Sequence, residues 1–364
     1  MKTAERRFAI IVALVVGFAA FAEDDHWTYD SAVGTISDGV WTFSATVSGT
    51  SLTVNAVTGY PETRSVLDFA KPVRDAGWNN YVIVKLNPHF AHKKANTDGG
   101  YRPGDLEASE ASTKVGELIL PQTGLTAINA AAFAYCSNLT NIVNYLPDSV
   151  SSIGNSAFAH CPAKQDLFVR GISGGTGRGI FYGAGIRSIT FGRRFKTIGD
   201  TSNGMGSFQN CASVTNIVFD PESSNINLPA NAFRDALTLK QPLVLYGVTN
   251  LNSSAFSNCK VSSITFDKGI KYIGTLSGVS GLTEVHFLGT PPTSQSGKWA
   301  DYGQGTDKTV TTYVPSKFLV QWKPYAAGGE IRKKSSTFSS AYATEPAKRP
   351  LLYEGKIQFK ISLK

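Results

Sequence analysis

The sequence predicts a β-rich α/β solenoid of parallel strands, closed by an N-terminal β cap and a C-terminal cap, and three observations carry that expectation. A short phrase built on phenylalanine recurs at a nearly constant interval. Each occurrence is followed by an alternating apolar triplet. The chain carries 35 glycines and few long runs of Ala, Glu, Leu and Lys, so it has little material for long helices.

The phrases are Phe133-Ala-Tyr-Cys136, Phe158-Ala-His-Cys161, Phe181-Tyr-Gly-Ala184, Phe208-Gln-Asn-Cys211, Phe233-Arg-Asp-Ala236 and Phe256-Ser-Asn-Cys259, with phenylalanines 25, 23, 27, 25 and 23 residues apart. That period is one coil of a leucine-rich-repeat or parallel β-helix solenoid, in which a coil buries its apolar residues only by stacking on its neighbours. The triplets Ile189-Thr-Phe191, Ile217-Val-Phe219, Leu243-Val-Leu245, Ile264-Thr-Phe266 and Val285-His-Phe287 read as short strands whose outer residues point into the core. Turn formers such as Leu146-Pro-Asp148 and Ile198-Gly-Asp200 close the coils. A degenerate seventh coil puts Leu276 and Val279 in the phenylalanine and cysteine slots, as expected near a terminus.

Outside the array, Trp41-Thr-Phe43 and Ser51-Leu-Thr-Val54 alternate about a Ser37-Asp-Gly39 turn, which predicts a hairpin cap. Leu67-Asp-Phe69 and Tyr81-Val-Ile-Val84 read as irregular early coils. A loop rich in Pro, Ser and Gly (Pro291 to Lys308) leads to a strand from Val310 to Val314, with Trp322 and Tyr325 available to cover the last coil. The division expected is a signal peptide (1–22), N-terminal β cap (23–62), early coils (63–114), repeat array (115–290), loop and C-terminal cap (291–330), and a basic tail ending in a strand (331–364).

The run Leu139-Thr-Asn-Ile142 through Leu146-Pro-Asp-Ser-Val-Ser-Ser-Ile-Gly154 to Ala157-Phe158-Ala-His-Cys161 resembles the BspA-like family of bacterial leucine-rich-repeat surface proteins, over residues 115–290. The resemblance implies a right-handed solenoid, secreted or displayed at a surface and associated with adhesion and protein binding. The sequence departs from the family pattern at Gly171 to Gly185 and at Pro221 to Ala230, where coils are expected to bulge.

The chain opens on Lys2, Arg6 and Arg7, continues through 13 apolar residues from Phe8 to Ala20, and reaches Ala20-Phe21-Ala22 before Glu23-Asp24-Asp25. That layout predicts a secretory signal peptide cleaved after Ala22, because a membrane-spanning helix needs about 20 apolar residues. No transmembrane segment is expected. The formal charge of +8 divides into +2 from the leader and +6 from residues 331–364, leaving residues 23–330 neutral. The basic balance therefore does not predict a nucleic-acid partner. The tail reads as an edge strand whose lysines discourage edge pairing, or as a handle for anionic polymers.

Each of the four cysteines sits three residues after a repeat phenylalanine, in a slot that elsewhere holds Ala184, Ala236 or Val279. They are expected to act as small apolar residues, with Cys136 and Cys161 the one pair close enough in sequence for a bridge between adjacent coils. His89-Phe-Ala-His92 has metal-like spacing without further ligands, and the glycine run from Gly171 to Gly179 lacks the Lys-Ser/Thr pair of a phosphate loop. His160 and His286 read as surface side chains. A polysaccharide-active β-helix enzyme would need carboxylates on neighbouring coils. The residues after the triplets, Gly192, Asp220, Tyr246, Asp267 and Leu288, do not provide them. No catalytic, cofactor-binding or metal residues are expected.

The function expected is binding of a protein or glycan at a cell surface. A structural envelope component is the alternative and a polysaccharide-active enzyme the third reading. The middle residue of each triplet points outward, placing Thr190, Val218, Val244, Thr265 and His286 in one column on the concave face, beside Ser188, Asn216, Pro242, Ser263 and Glu284. That column is the expected ligand-binding strip.

Overall fold

A computed structural model of the protein describes residues 26–94, 101–143, 146–162, 166–169, 171, 177–199, 205–236, 238–274, 276, 278–292, 294–295, 309–318, 321 and 356–362. The leader, Trp322, Tyr325 and most of the glycine run from Gly171 to Gly179 lie outside the described residues. Strands dominate, and the helical segments named among the described residues are the short 3-10 turns Pro103–Asp105, Ala111–Thr113 and Ser316–Phe318. The fold is thus a β-rich repeat fold, and the α component of the α/β expectation is corrected: coils this short are closed by turns.

The repeat phenylalanines form one internal stack. Phe133, Phe158, Phe181, Phe208, Phe233 and Phe256 follow one another with ring centroids 5.2–5.3 Å apart and planes inclined by 1° to 16°. Phe90 precedes Phe133 in this stack at 5.9 Å. Each ring is buried, which contributes about 1.5–3 kcal/mol from burial and about 0.5–1.5 kcal/mol from stacking.

The backbone around each phenylalanine alternates in hand. The residue two places after it is left-handed throughout: Tyr135, His160, Gly183, Asn210, Asp235 and Asn258 have φ between 57° and 64°. Its N–H donates to the next repeat, as in Tyr135 to Ala159 O (2.8 Å), His160 to Tyr182 O (2.8 Å) and Asn210 to Arg234 O (2.9 Å). The phenylalanine N–H donates in the same direction, as in Phe158 to Ile180 O (2.8 Å) and Phe208 to Ala232 O (2.8 Å). This alternation points successive donors one way along the stack and satisfies buried backbone without a helix.

Parallel ladders run beside the stack. Asp166–Val169, Ser188–Phe191 and Asn216–Phe219 pair in register. Leu243–Leu245, Ser263–Phe266, Glu284–Phe287, Thr309–Pro315 and Lys356–Ser362 form a five-stranded sheet. The terminal strand of the basic tail therefore joins the sheet. Buried and outer residues alternate as the triplets require, for example in Ser188–Phe191 and Ser263–Phe266.

The N-terminal strands close a ring. Trp27–Asp30, Thr35–Ser37, Thr42–Ser48 and Ser51–Gly59 form an antiparallel meander, Ser51–Gly59 pairs parallel to Asn80–Leu86, and Val73–Asp75 pairs with both Trp27–Asp30 and Asn80–Leu86. Asn80–Leu86 then continues in parallel to Ala127–Ile128 and Ser152–Ile153. Strands on both sides of residue 62 thus share one sheet. Inside, Trp27 and Trp41 are buried and donate their indole N–H groups to Asp68 O (2.7 Å) and Val66 O (3.0 Å), which satisfies the polar end of each ring.

Candidate functional site

The outward column is built by ladder register. Phe168 lies beside Thr190 and Thr190 beside Val218 in one sheet, and Val244, Thr265, His286 and Tyr313 are successive neighbours in the next. All five residues read from the sequence face outward. The column spans two ladders, and Pro242 lies directly before the strand Leu243–Leu245. Proline has no N–H to donate to a ladder.

Sequence reasoning missed two residues of the column. Phe168 and Tyr313 extend it, adding one aromatic residue beside Thr190 and another beside His286, and Lys360 of the last strand follows Tyr313 in register. The signal was present in Leu167-Phe-Val169, an alternating triplet like the others. Val218 is 41% exposed, in an apolar position with no role in the core.

The flank is polar and partly locked. Asp166, beside Ser188, accepts from Arg187 at 2.9 and 2.6 Å and from Ser188 Oγ at 2.8 Å. These bonds, Arg187 foremost, hold its carboxyl below the usual carboxylate range. At the other end, the His286 ring stacks on Tyr313 with centroids 4.3 Å apart and planes 3° from parallel, Glu284 Oε2 lies 3.1 Å from His286 Nε2, and Tyr313 Oη donates to Glu284 Oε1 at 3.4 Å. His286 is therefore clamped on one face and at one nitrogen. That arrangement fixes the orientation of the ring.

The other candidates resolve into structural roles. Asp267 accepts from Lys268 N (2.7 Å) and Gly247 N (3.2 Å), and Asp220 accepts from Glu222 N (2.8 Å), so these carboxylates brace turns. His89 stacks on Tyr101 at 5.5 Å. Among the described residues no group of three or more His, Cys, Asp or Glu is placed to hold a metal ion. His160 is corrected from a plain surface residue to a half-buried one between Tyr135 (4.6 Å) and Tyr182 (5.6 Å). Burial, and then Lys94, lowers its pKa.

All four cysteines are buried. Cys161, Cys211 and Cys259 donate their thiols to the carbonyl of the preceding repeat phenylalanine: Phe133 O (3.1 Å), Phe181 O (3.0 Å) and Phe233 O (3.2 Å). Burial pushes Cys211 and Cys259 up to about 12. Cys136 is also raised, by burial and by its neighbour Cys161.

A profile described as a BspA type leucine rich repeat region matches residues 109–202 and 201–290 with 6 copies, half of the 364-residue chain. The chain belongs to the BspA-type leucine-rich-repeat family. Among solved structures, it is similar to a leucine-rich repeat protein from Bacteroides ovatus at 18% identity and a TM-score of 0.42, covering 77% of this chain and 72% of that one. The leucine rich repeat protein of T. pallidum is 16% identical with a TM-score of 0.35, over 75% of this chain and 83% of that one. A leucine rich cell surface protein from Faecalibacterium prausnitzii is 13% identical with a TM-score of 0.34, over 90% of this chain and 95% of that one. No curated protein matches the chain. Among the described residues of this BspA-type chain, no helix is long and apolar enough to cross a membrane.

Proposed function

We propose that this BspA-type protein is a non-enzymatic binding protein, secreted or held at a cell surface, whose outward column engages a protein or glycan partner. The architecture we assign is a right-handed solenoid of parallel strands, with the N-terminal ring and the last strands as its caps. The observation that carries the reading is the column itself: Thr190, Val218, Val244, Thr265 and His286 face outward across two ladders, with Phe168 beside Thr190 and Tyr313 beside His286. Rigid ladder residues present contact area at little conformational cost, and aromatic residues are favoured anchors at interfaces. The core requires none of these outward side chains. The leader read from residues 1–22 supports export, and the bracing roles of Asp220 and Asp267 support a role without chemistry.

The test is the double substitution Val218→Lys with Val244→Lys, assayed for retention of the partner captured by the parent protein from surface extract. Amino-terminal sequencing of the exported product, expected to begin at Glu23, tests the location.

A further inference from the structure

Trp78 stands in the turn between the strands Val73–Asp75 and Asn80–Leu86, 65% exposed and with φ at 64°. Bulky L-residues disfavour that backbone region, and a solvent-facing indole forgoes burial. The turn holds it there nonetheless. Asp75 Oδ1 accepts from Gly77 N and Asn79 N, and Oδ2 from Asn79 Nδ2 and Tyr81 Oη, all at 2.9 Å. Trp78 N donates to Asp75 O, also at 2.9 Å. Strain that surrounding bonds enforce, at an exposed aromatic residue, is a mark of a binding position.

Two groups attend the ring. The Arg74 guanidinium carbon lies 5.1 Å from the indole centroid, and the His26 ring lies 5.8 Å away, inclined by 43°. Among the described residues Arg74 makes no ion pair. Val73–Asp75 runs parallel to Trp27–Asp30, which places Asp30 and the turn carrying Trp78 at one end of the N-terminal ring.

We propose that Trp78 and Arg74 form a binding site for a carboxylated sugar. The C–H face of the pyranose lies on the indole, and its carboxylate pairs with the guanidinium, whose planar fork matches two oxygens. The Asp75 oxygens, each already accepting two bonds, do not compete for Arg74. An anionic lipid surface fits less well, because Asp30 and Asp75 share this end of the ring and, among the described residues, no lysine cluster accompanies them. A protein partner would need on the order of 800 Å² on each side, more than the tip of one hairpin offers. The site lies on the N-terminal ring rather than on the outward column, so its failure would leave the column reading untouched.

Titration calorimetry of the purified protein with sialyllactose, a glucuronic-acid tetrasaccharide and neutral lactose tests the proposal. At least one acidic oligosaccharide is expected to bind and lactose to bind more weakly. Trp78→Gly should weaken binding about tenfold or more, and Arg74→Gln should abolish the preference for the acidic sugars. Glycine adopts φ near 64° without strain, so Trp78→Gly should keep the parent's cooperative melting and the loss cannot be assigned to unfolding. Failure of both acidic oligosaccharides to bind the parent would overturn the proposal. So would undiminished binding by Trp78→Gly, or retention on phosphatidylserine vesicles that depends on Trp78 in place of sugar binding.

Discussion

Phe181 and Phe208, from adjacent repeats, stack with ring centroids 5.2 Å apart and planes inclined by only 1°. A ring held this closely on both sides leaves a cavity when it is removed, because its neighbours belong to repeats fixed by their own backbone bonds. Phe208→Ala is therefore expected to cost about 3–5 kcal/mol. His160→Ala removes a half-buried ring and should cost much less. Chemical denaturation of the two variants checks this, with the Phe208 midpoint expected well below the other.

The thiols couple stability to alkaline pH. Burial raises Cys211 and Cys259 from an ordinary value of 9.0 to about 12, so the fold favours the neutral thiol. The contribution is fully present below the unfolded value and is lost as pH rises through the folded one. Stability should decline between about pH 9 and pH 12, and Cys211→Ala should blunt the decline, since Ala184 and Ala236 already fill the same slot elsewhere. Native protein should react slowly with a thiol reagent, and denatured protein should titrate as free thiols.

Backbone hand gives a third expectation. Ser254 has φ at 61°, which a β-branched residue tolerates poorly, so Ser254→Val should cost about 1–2 kcal/mol while Ser254→Gly stays near neutral. Gly206 differs in cause: a Cβ there would lie 1.7 Å from Asn231 O. Gly206→Ala should thus force the two repeats apart. Thermal melting of the three variants separates the two effects.

The repeat period, the triplets and the cysteine slot were legible because stacked rings and two-residue alternation depend on nearby residue types. Phe90 was hidden, since the paired strands Ala91–Lys93 and Leu106–Ala108 lengthen its interval to Phe133 and break the phrase. The N-terminal ring was hidden too. Its closure depends on Val73–Asp75 meeting Trp27–Asp30, a pairing that no local pattern encodes. The left-handed position after each phenylalanine holds Gly183, Asn210, Asp235 and Asn258, residue types that suit it, but Tyr135 and His160 in the first repeats obscure the signal. Of the outward column, the middle residues, Phe168 included, were readable from alternation, whereas Tyr313 entered through strand register.

The central claim is that the outward column is where a partner binds, and the Val218→Lys, Val244→Lys double variant tests it most directly. Both side chains face away from the core and Val218 is 41% exposed, so the lysines can reach solvent without disturbing the rings beneath. The variant should melt cooperatively within a few degrees of the parent and lose retention of the partner by about tenfold or more, as expected when charge enters the centre of an interface. Undiminished retention by a folded double variant would contradict the account.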